Sequence, residues 1–384
     1  MTTNVTLFLE RLAILRPSIT VEVVKEEQPE KHILAGDPVN TAHDQFEHRH
    51  KWLTCMDEFA DFIQNVDTPK DLSLEPITIA LIDDGVDINE QSLHAKIIGG
   101  RSFCQRDFQQ NLSKPYYVTS GGHGTVMASL ICRVCPKAQL YVVKLDEHMS
   151  EGNKRQITAK SAAKAVRAAV DKKVHIISMS WTIEKTASNA LDIAELEAAI
   201  VAAADAGILM FCAANDQGIE SDKSYPAAGR NSHLFKIGAA EASGAVWKWV
   251  GEASEVDFIF PGHKVVKDRP NDAPLEKCKT LTGSSVATAF AAGLAALVLY
   301  CVQLGALNSQ GGGNSGVTME DFNAMKGHER MREAFMAIGT RNKYIEVWDV
   351  FEPAAKKAEG VGRERRIEIV SEVAGRLKTR KTFE

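Results

Sequence analysis

The sequence predicts an α/β protein of three layers, a doubly wound, mainly parallel sheet covered by helices on both faces. Three observations carry this expectation. Short apolar runs ending in polar or Gly-containing turns recur from residue 77 onward. Between them lie Ala-rich segments, several helical turns long, with their charges on one face. Strands that alternate with helices of this length form βαβ units, and their crossovers return each strand in the same direction. The third observation is a long apolar stretch late in the chain, suited to a central helix.

In chain order, residues 1–72 are mixed and charged, and read as a helical or mixed N-terminal segment, either a linker or pro-region-like. Ser18–Lys25 has strand character. Gln45–Asn65 has helical spacing through Phe46, Leu53, Met56, Phe59 and Phe62. The nearby His43, His48 and His50 read as solvated, because a metal site needs further ligands in fixed geometry. The main domain is placed at residues 73–355. It opens with the strand Ile77–Ile82, which stops at Asp83-Asp84-Gly85. Gln139–Leu145, His175–Ser180, Ile208–Ala214 and Leu234–Ala240 read as further strands, with Ile157–Lys172 and Asn189–Ala206 as crossover helices. Val286–Leu307 is long enough to span a bilayer. It is rich in Ala and Gly and lacks flanking basic residues, so it reads as a buried central helix and no membrane partner is expected. Gln310–Gly316 reads as a surface loop. Met319–Ile338 and Asn342–Glu352 close the domain as two helices or a helix and a strand. Residues 356–384 read as a charged tail, a solvated helix or a frayed end.

Composition excludes several function classes. Hydrophobic residues are 45% and charged residues 25%, which rules out collagen-like, mucin-like and wholly disordered chains. Lys plus Arg is 45 against 50 Asp plus Glu, a net charge of -5, so no basic field suggests a nucleic-acid partner. Seven cysteines are too few for a disulfide scaffold and odd in number. The opening segment MTTNVTLFLERLAILRP has no basic start, and Glu10 and Arg11 interrupt its apolar run, so no signal peptide is read. A cytoplasmic protein with reduced thiols is expected.

Three residues stand where α/β sheets build their sites, at strand ends and helix starts. Asp83 stops an apolar strand. His123 stands where G-G-H-G-T gives way to an apolar helix. Ser285, in G-S-S-V-A-T-A, opens the long Ala-rich helix. A serine hydroxyl attacks only when a base takes its proton, and an imidazole suits that task. The imidazole needs a carboxylate to fix its tautomer and stabilise the imidazolium. A serine at a helix start also aims its own N–H at a developing oxyanion.

The order Asp, His, Ser along a parallel α/β chain resembles the subtilisin-like serine peptidases, the subtilases. I-A-L-I-D-D-G-V-D resembles the family's aspartate motif, G-G-H-G-T-V-M-A its histidine motif and G-S-S-V-A-T-A its serine motif. The resemblance covers residues 77–303, with closing elements to about residue 355. It implies a subtilisin-like fold and catalysis by Asp83, His123 and Ser285, with Ser285 rather than Ser284 as nucleophile. F-C-A-A-N-D-Q-G places Asn215 at the family's oxyanion position. By the same resemblance Ser180, Trp181, Thr182, Ala213 and Ala214 line the substrate site. Thr182, Ile183 and Ala214 replace family glycines, which implies an altered or shallower pocket. Asp84, where Ser or Thr is usual, resembles kexin-like members. It reads as a preference for basic substrate residues or as a tolerated polar residue. The expected partner is a protein or peptide substrate, with no cofactor and no metal. Cys132 and Cys135, despite C-x-x-C spacing, read as buried thiols. A rival reading is a subtilase-shaped binding or signalling module with restrained or lost proteolysis. The lack of a secretion signal resembles intracellular fungal modules of larger receptor-type proteins. Another α/β serine hydrolase would need G-x-S-x-G, which Gly283-Ser284-Ser285 does not supply.

Overall fold

A computed structural model describes residues 50–66, 74–107, 112–149, 155–218, 223–229, 233–267, 280–313 and 316–378. The strand expected over Ser18–Lys25, and His43 and His48, lie outside the described residues. Among the described residues, nine strands form one sheet. They are β1 (Thr78–Asp83), β2 (Ile97–Ser102), β3 (Gln139–Lys144), β4 (Ile176–Met179), β5 (Leu209–Ala213), β6 (Leu234–Ala240), β7 (Phe258–Pro261), β8 (Thr340–Arg341) and β9 (Tyr344–Ile345). Their order across the sheet is β8-β9-β7-β6-β5-β4-β1-β3-β2. Every pairing is parallel except the β8–β9 hairpin. The winding reverses at β1, which lies between β3 and β4. In doubly wound sheets the crevice outside the strand carboxyl ends opens at such a reversal. Asp83 is the last residue of β1.

The helices are α1 (Lys51–Gln64), α2 (His123–Val134), α3 (Ala159–Lys172), α4 (Ala190–Asp205), α5 (Ser284–Gln310), α6 (Met319–Met325), α7 (His328–Ile338), α8 (Trp348–Lys357) and α9 (Arg363–Lys378). Alternate residues of β1 face opposite cores, as the period of a strand requires. Ala80 and Ile82 join the core beneath α3 and α4. Ile79 and Leu81 join the larger core built with the remaining helices. The expected buried central helix is α5, whose residues from Ser284 to Ala306 are all buried. Its small residues allow close crossings. A Cβ on Gly293 would meet Ile131 O and Val134 Cβ of α2 at 3.0 Å, and one on Gly305 would meet Ala374 Cβ of α9 at 2.8 Å.

The ends of the domain differ from expectation. Helix α1 falls in the segment read as separate, yet Trp52 packs on Phe260 and Phe290 at 6.0 and 5.4 Å, and Phe59 on Phe351 at 4.8 Å. His50, read as solvated, is buried with Nε2 2.8 Å from His263 O. The tail, read as a solvated helix or frayed end, does form a helix, α9, but that helix is packed and buries Ile367, Val370, Val373, Ala374 and Leu377. Their spacing of three or four residues is an amphipathic stripe, obscured in the sequence by surrounding charges. Those charges pair on the outer face, Arg365 with Glu368 at 2.8 Å and Lys357 with Glu372 at 3.0 Å.

Three further elements escaped the sequence reading. The edge strand β2 contains Gly99 and Gly100 and has little strand propensity. Strand β7 is only four residues long and ends in proline. The closing region Met319–Ile338 divides at Lys326-Gly327, where α6 ends and α7 begins; Thr318 and Asp321 form a capping box on α6.

Candidate active site

The carboxyl end of β1 and the amino end of α2 meet directly. Asp83 is fully buried, and its Oδ1 and Oδ2 lie 2.8 and 2.9 Å from His123 Nδ1. A carboxylate only accepts, so Nδ1 donates, and in the neutral ring Nε2 then keeps its lone pair. Nε2 is buried, and no described group hydrogen-bonds to it. Oδ1 of Asp83 also accepts the N–H of Asp84 at 2.8 Å.

The two serines at the start of α5 are separated by their partners. Ser284 is fully buried: its N–H and hydroxyl donate to Asp216 at 2.6 and 2.5 Å, and its Oγ accepts the N–H of Ala239 at 3.0 Å. Ser285 is 9% exposed. Its carbonyl accepts the Ser180 hydroxyl at 3.2 Å. The next residue along, Trp181, donates its Nε1–H to Ile82 O at 2.8 Å. Residues 180 and 181 thus tie the end of β1 to the serine turn. Asn215 follows β5 and is half-buried. Asp216, with φ of 21°, turns the chain so that its carboxylate reaches Ser284, which brings the strand end carrying Asn215 to the serine turn.

Of the residues expected to contact substrate, Ser180 is engaged with Ser285, and Ala213 and Ala214 are buried. Thr182 keeps a half-exposed position. The Trp181 indole is 6% exposed and packs in the core beneath α3 and α4, where an apolar ring is most stable. Through its bond to Ile82 it supports the end of β1. Ile183 pairs with Tyr225 through two backbone hydrogen bonds of 2.8 Å.

Asp84 also departs from the reading that gave it a substrate role. It is fully buried. Oδ2 accepts the Thr119 hydroxyl at 2.8 Å and the Gly121 N–H at 2.7 Å, and Oδ1 accepts the Gly124 N–H at 2.7 Å. No sequence signal separates this buried acceptor from a carboxylate that faces substrate. Lys144, at the end of β3, is buried beside it and donates to Val118 O at 2.9 Å, Ser120 Oγ at 2.8 Å and Asp84 O. Burial holds its pKa below the ordinary lysine value, although the Asp84 charge opposes this. Cys132 and Cys135 are buried as expected. Burial pushes both thiols up to about 12, so neither supplies a thiolate near neutrality.

The profile of the subtilase family, peptidase S8, matches residues 75–304. The chain is 29% identical over 236 residues to the intracellular serine protease of Paenibacillus polymyxa, covering 58% of this chain and 66% of that protein. It is equally 29% identical over 236 residues to the major intracellular serine protease of Bacillus subtilis, covering 58% of this chain and 68% of that one. It therefore spans about two thirds of the length of these two relatives. Among solved structures, the crystal structure of a lanthipeptide protease superposes with a TM-score of 0.56 at 16% identity, covering 83% of this chain and 98% of the other. That likeness establishes the subtilisin-like α/β fold. The family profile covers more than half of the sequence, from just before β1 to deep in α5, and on that ground the chain belongs to the subtilase family.

Proposed function

We propose that the chain is a serine endopeptidase that cleaves peptide bonds through an acyl-enzyme. The observation that carries this is the buried Asp83 carboxylate on His123 Nδ1, with Nε2 left as the acceptor. Ser285 Oγ attacks the scissile carbonyl carbon and passes its proton to Nε2. Asp83 stabilises the imidazolium and holds the ring. The Asn215 amide and the Ser285 N–H receive the oxyanion. His123 then protonates the leaving amine, and water, deprotonated by the same ring, releases the acyl group from Ser285.

The assignment of Ser285 over Ser284 rests on their partners. The Ser284 hydroxyl is committed to Asp216, in a site closed to solvent. Labelling with a fluorophosphonate tests the reading. Wild type and Ser284→Ala are expected to label, and Ser285→Ala is not. A chain that folds but never labels would support the binding-module reading.

The substrate class we assign is protein or peptide. A net charge of -5 gives no support to a nucleic-acid partner, and α5, though apolar and long, is buried by its neighbours rather than offered to lipid. We further assign a reducing, cytoplasmic setting. Six described cysteines, Cys55, Cys104, Cys132, Cys135, Cys212 and Cys301, are buried and in no disulfide. The two bacterial relatives carry the word intracellular in their names. The fungal resemblance supports a place within a larger receptor-type protein.

A further inference from the structure

We propose that Asp84 and Asp216 are positioning residues that tether the first turns of the two catalytic helices; the inference rests on the peptidase reading above. Both helices start from a glycine with positive φ, Gly122 at 83° before α2 and Gly283 at 144° before α5. Glycine tolerates that conformation but brings no side-chain acceptor, and neither helix has a side-chain cap of its own. The unpaired N–H groups of the first turn need acceptors from elsewhere.

In each case the acceptor is a carboxylate one residue beyond a strand-end site residue. Asp84 follows Asp83 and receives the N–H of Gly124, the residue after His123, at 2.7 Å. It also gathers the approach to α2, directly through Gly121 and Thr119, and indirectly through Thr119 Oγ1, which accepts the Gly122 N–H at 2.8 Å. Helix α2 presses onto this turn so closely that a Cβ on Gly124 would lie 2.2 Å from Gly85 O. Asp216 follows Asn215 and receives both the N–H and the hydroxyl of Ser284, the residue before Ser285. Each negative group also faces the positive end of a helix dipole.

The two tethers have the same logic. Asp83 orients the His123 ring while Asp84 holds the helix that carries it. Asn215 supplies the oxyanion donor while Asp216 holds the helix that carries the nucleophile. One backbone step therefore links each strand-end group to its partner on the helix, so neither can drift without the other. Catalytic geometry of this kind is sensitive to shifts of about 1 Å, which cost up to about 10²-fold in rate.

The test uses the full chain with Asp84→Asn, Asp84→Ala, Asp216→Asn and Asp216→Ala. It reads backbone hydrogen exchange over residues 119–125 and 283–287, together with kcat and KM on a chromogenic peptide. Asp216→Ala is expected to speed exchange at the serine turn and to lower kcat by about 10- to 100-fold, with KM within about twofold. Asp216→Asn is expected to recover most of the loss, because its amide oxygen still accepts the Ser284 N–H and its NH2 donates to Ser284 Oγ. Asp84→Asn is expected to recover less, since its two oxygens face the N–H donors of Gly121 and Gly124, and an amide must turn its NH2 toward one of them. Asp84 is fully buried, and if its alanine variant fails to fold, the Asn variants and both Asp216 variants still decide the matter. Unchanged exchange in folded Asp216→Ala, or kcat equal to wild type in both Asp216→Ala and Asp84→Asn, would overturn the proposal. A wild type that neither labels nor cleaves defeats the peptidase reading instead, while exchange still reads the tethers.

Discussion

At the scale of single residues, the site is organised by which polar groups have partners. Ser284 and Ser285 are chemically identical neighbours, yet only Ser284 is bonded through its hydroxyl to a carboxylate and through Oγ to a backbone N–H. Ser284→Ala leaves the Ala239 N–H without that acceptor, so a loss of about 1–3 kcal/mol in stability is expected, read by urea unfolding, while covalent labelling persists. Asn215→Ala is expected to act on the transition state and not on substrate binding. Removing an oxyanion donor of this kind in subtilisin costs about 10²–10³ in kcat, and a similar fall with little change in KM is expected here. A change confined to KM in steady-state kinetics would show that Asn215 binds ground-state substrate.

At the scale of elements, α5 sets how tightly the helical layer closes. Its crossings with α2 and α9 occur at Gly293 and Gly305, where an added methyl group would lie 3.0 Å from Ile131 O and Val134 Cβ, and 2.8 Å from Ala374 Cβ. Alanine is the better helix former by about 1 kcal/mol, so propensity alone favours Gly305→Ala. The contact argues the other way. A new Cβ would lie 2.8 Å from Ala374 Cβ, and neither atom can rotate away. Overpacking of this sort costs about 1–3 kcal/mol, so Gly305→Ala is expected to lower the urea midpoint. The double variant Gly305→Ala with Ala374→Gly is expected to recover part of the loss. If the single variant stabilised the protein, the close α5–α9 crossing would be wrong.

At the scale of the whole molecule, two collective properties follow from burial. His175 and His328 are both held below the ordinary histidine pKa by loss of solvation. His175 Nδ1 accepts the Thr78 N–H at 3.1 Å, and the His328 ring stacks on Phe235 at 4.1 Å. The unfolded chain, with histidines near pKa 6.5, therefore binds protons before the folded one does. Stability is full above about pH 6.5 and falls as pH drops below it, by at most about 1.4 kcal/mol per pH unit for each histidine. Denaturant midpoints between pH 7.5 and 5 check this, and a flat profile would contradict it. The second property is redox state. Alkylation under denaturing, non-reducing conditions, followed by mass measurement, is expected to count seven free thiols, with activity surviving reductant. Three disulfides with activity lost on reduction would contradict the reducing compartment.

The sequence by itself determined the parts that local chemistry dictates. Near-continuous apolar runs made β1, β3, β4, β5 and β6 legible, because strands covered on both faces need apolar residues at most positions. Asp83, His123 and Ser285 stood out because reactive side chains at strand ends and helix starts interrupt such runs abruptly. Only the tertiary structure decided which polar groups find one another. Asp84 is a buried acceptor for Gly121, Gly124 and Thr119, partners 35 to 40 residues away that no local pattern reveals. Asp216 closes on Ser284 across 68 residues. Trp181 packs beneath β1, where its indole gains both apolar contact and a carbonyl partner in Ile82. The stripe of α1 was legible through Leu53, Met56, Phe59 and Phe62, and its packing on the main core was not. In α9 surrounding charges hide a narrow apolar stripe, and burial of either stripe depends on the neighbours that folding supplies.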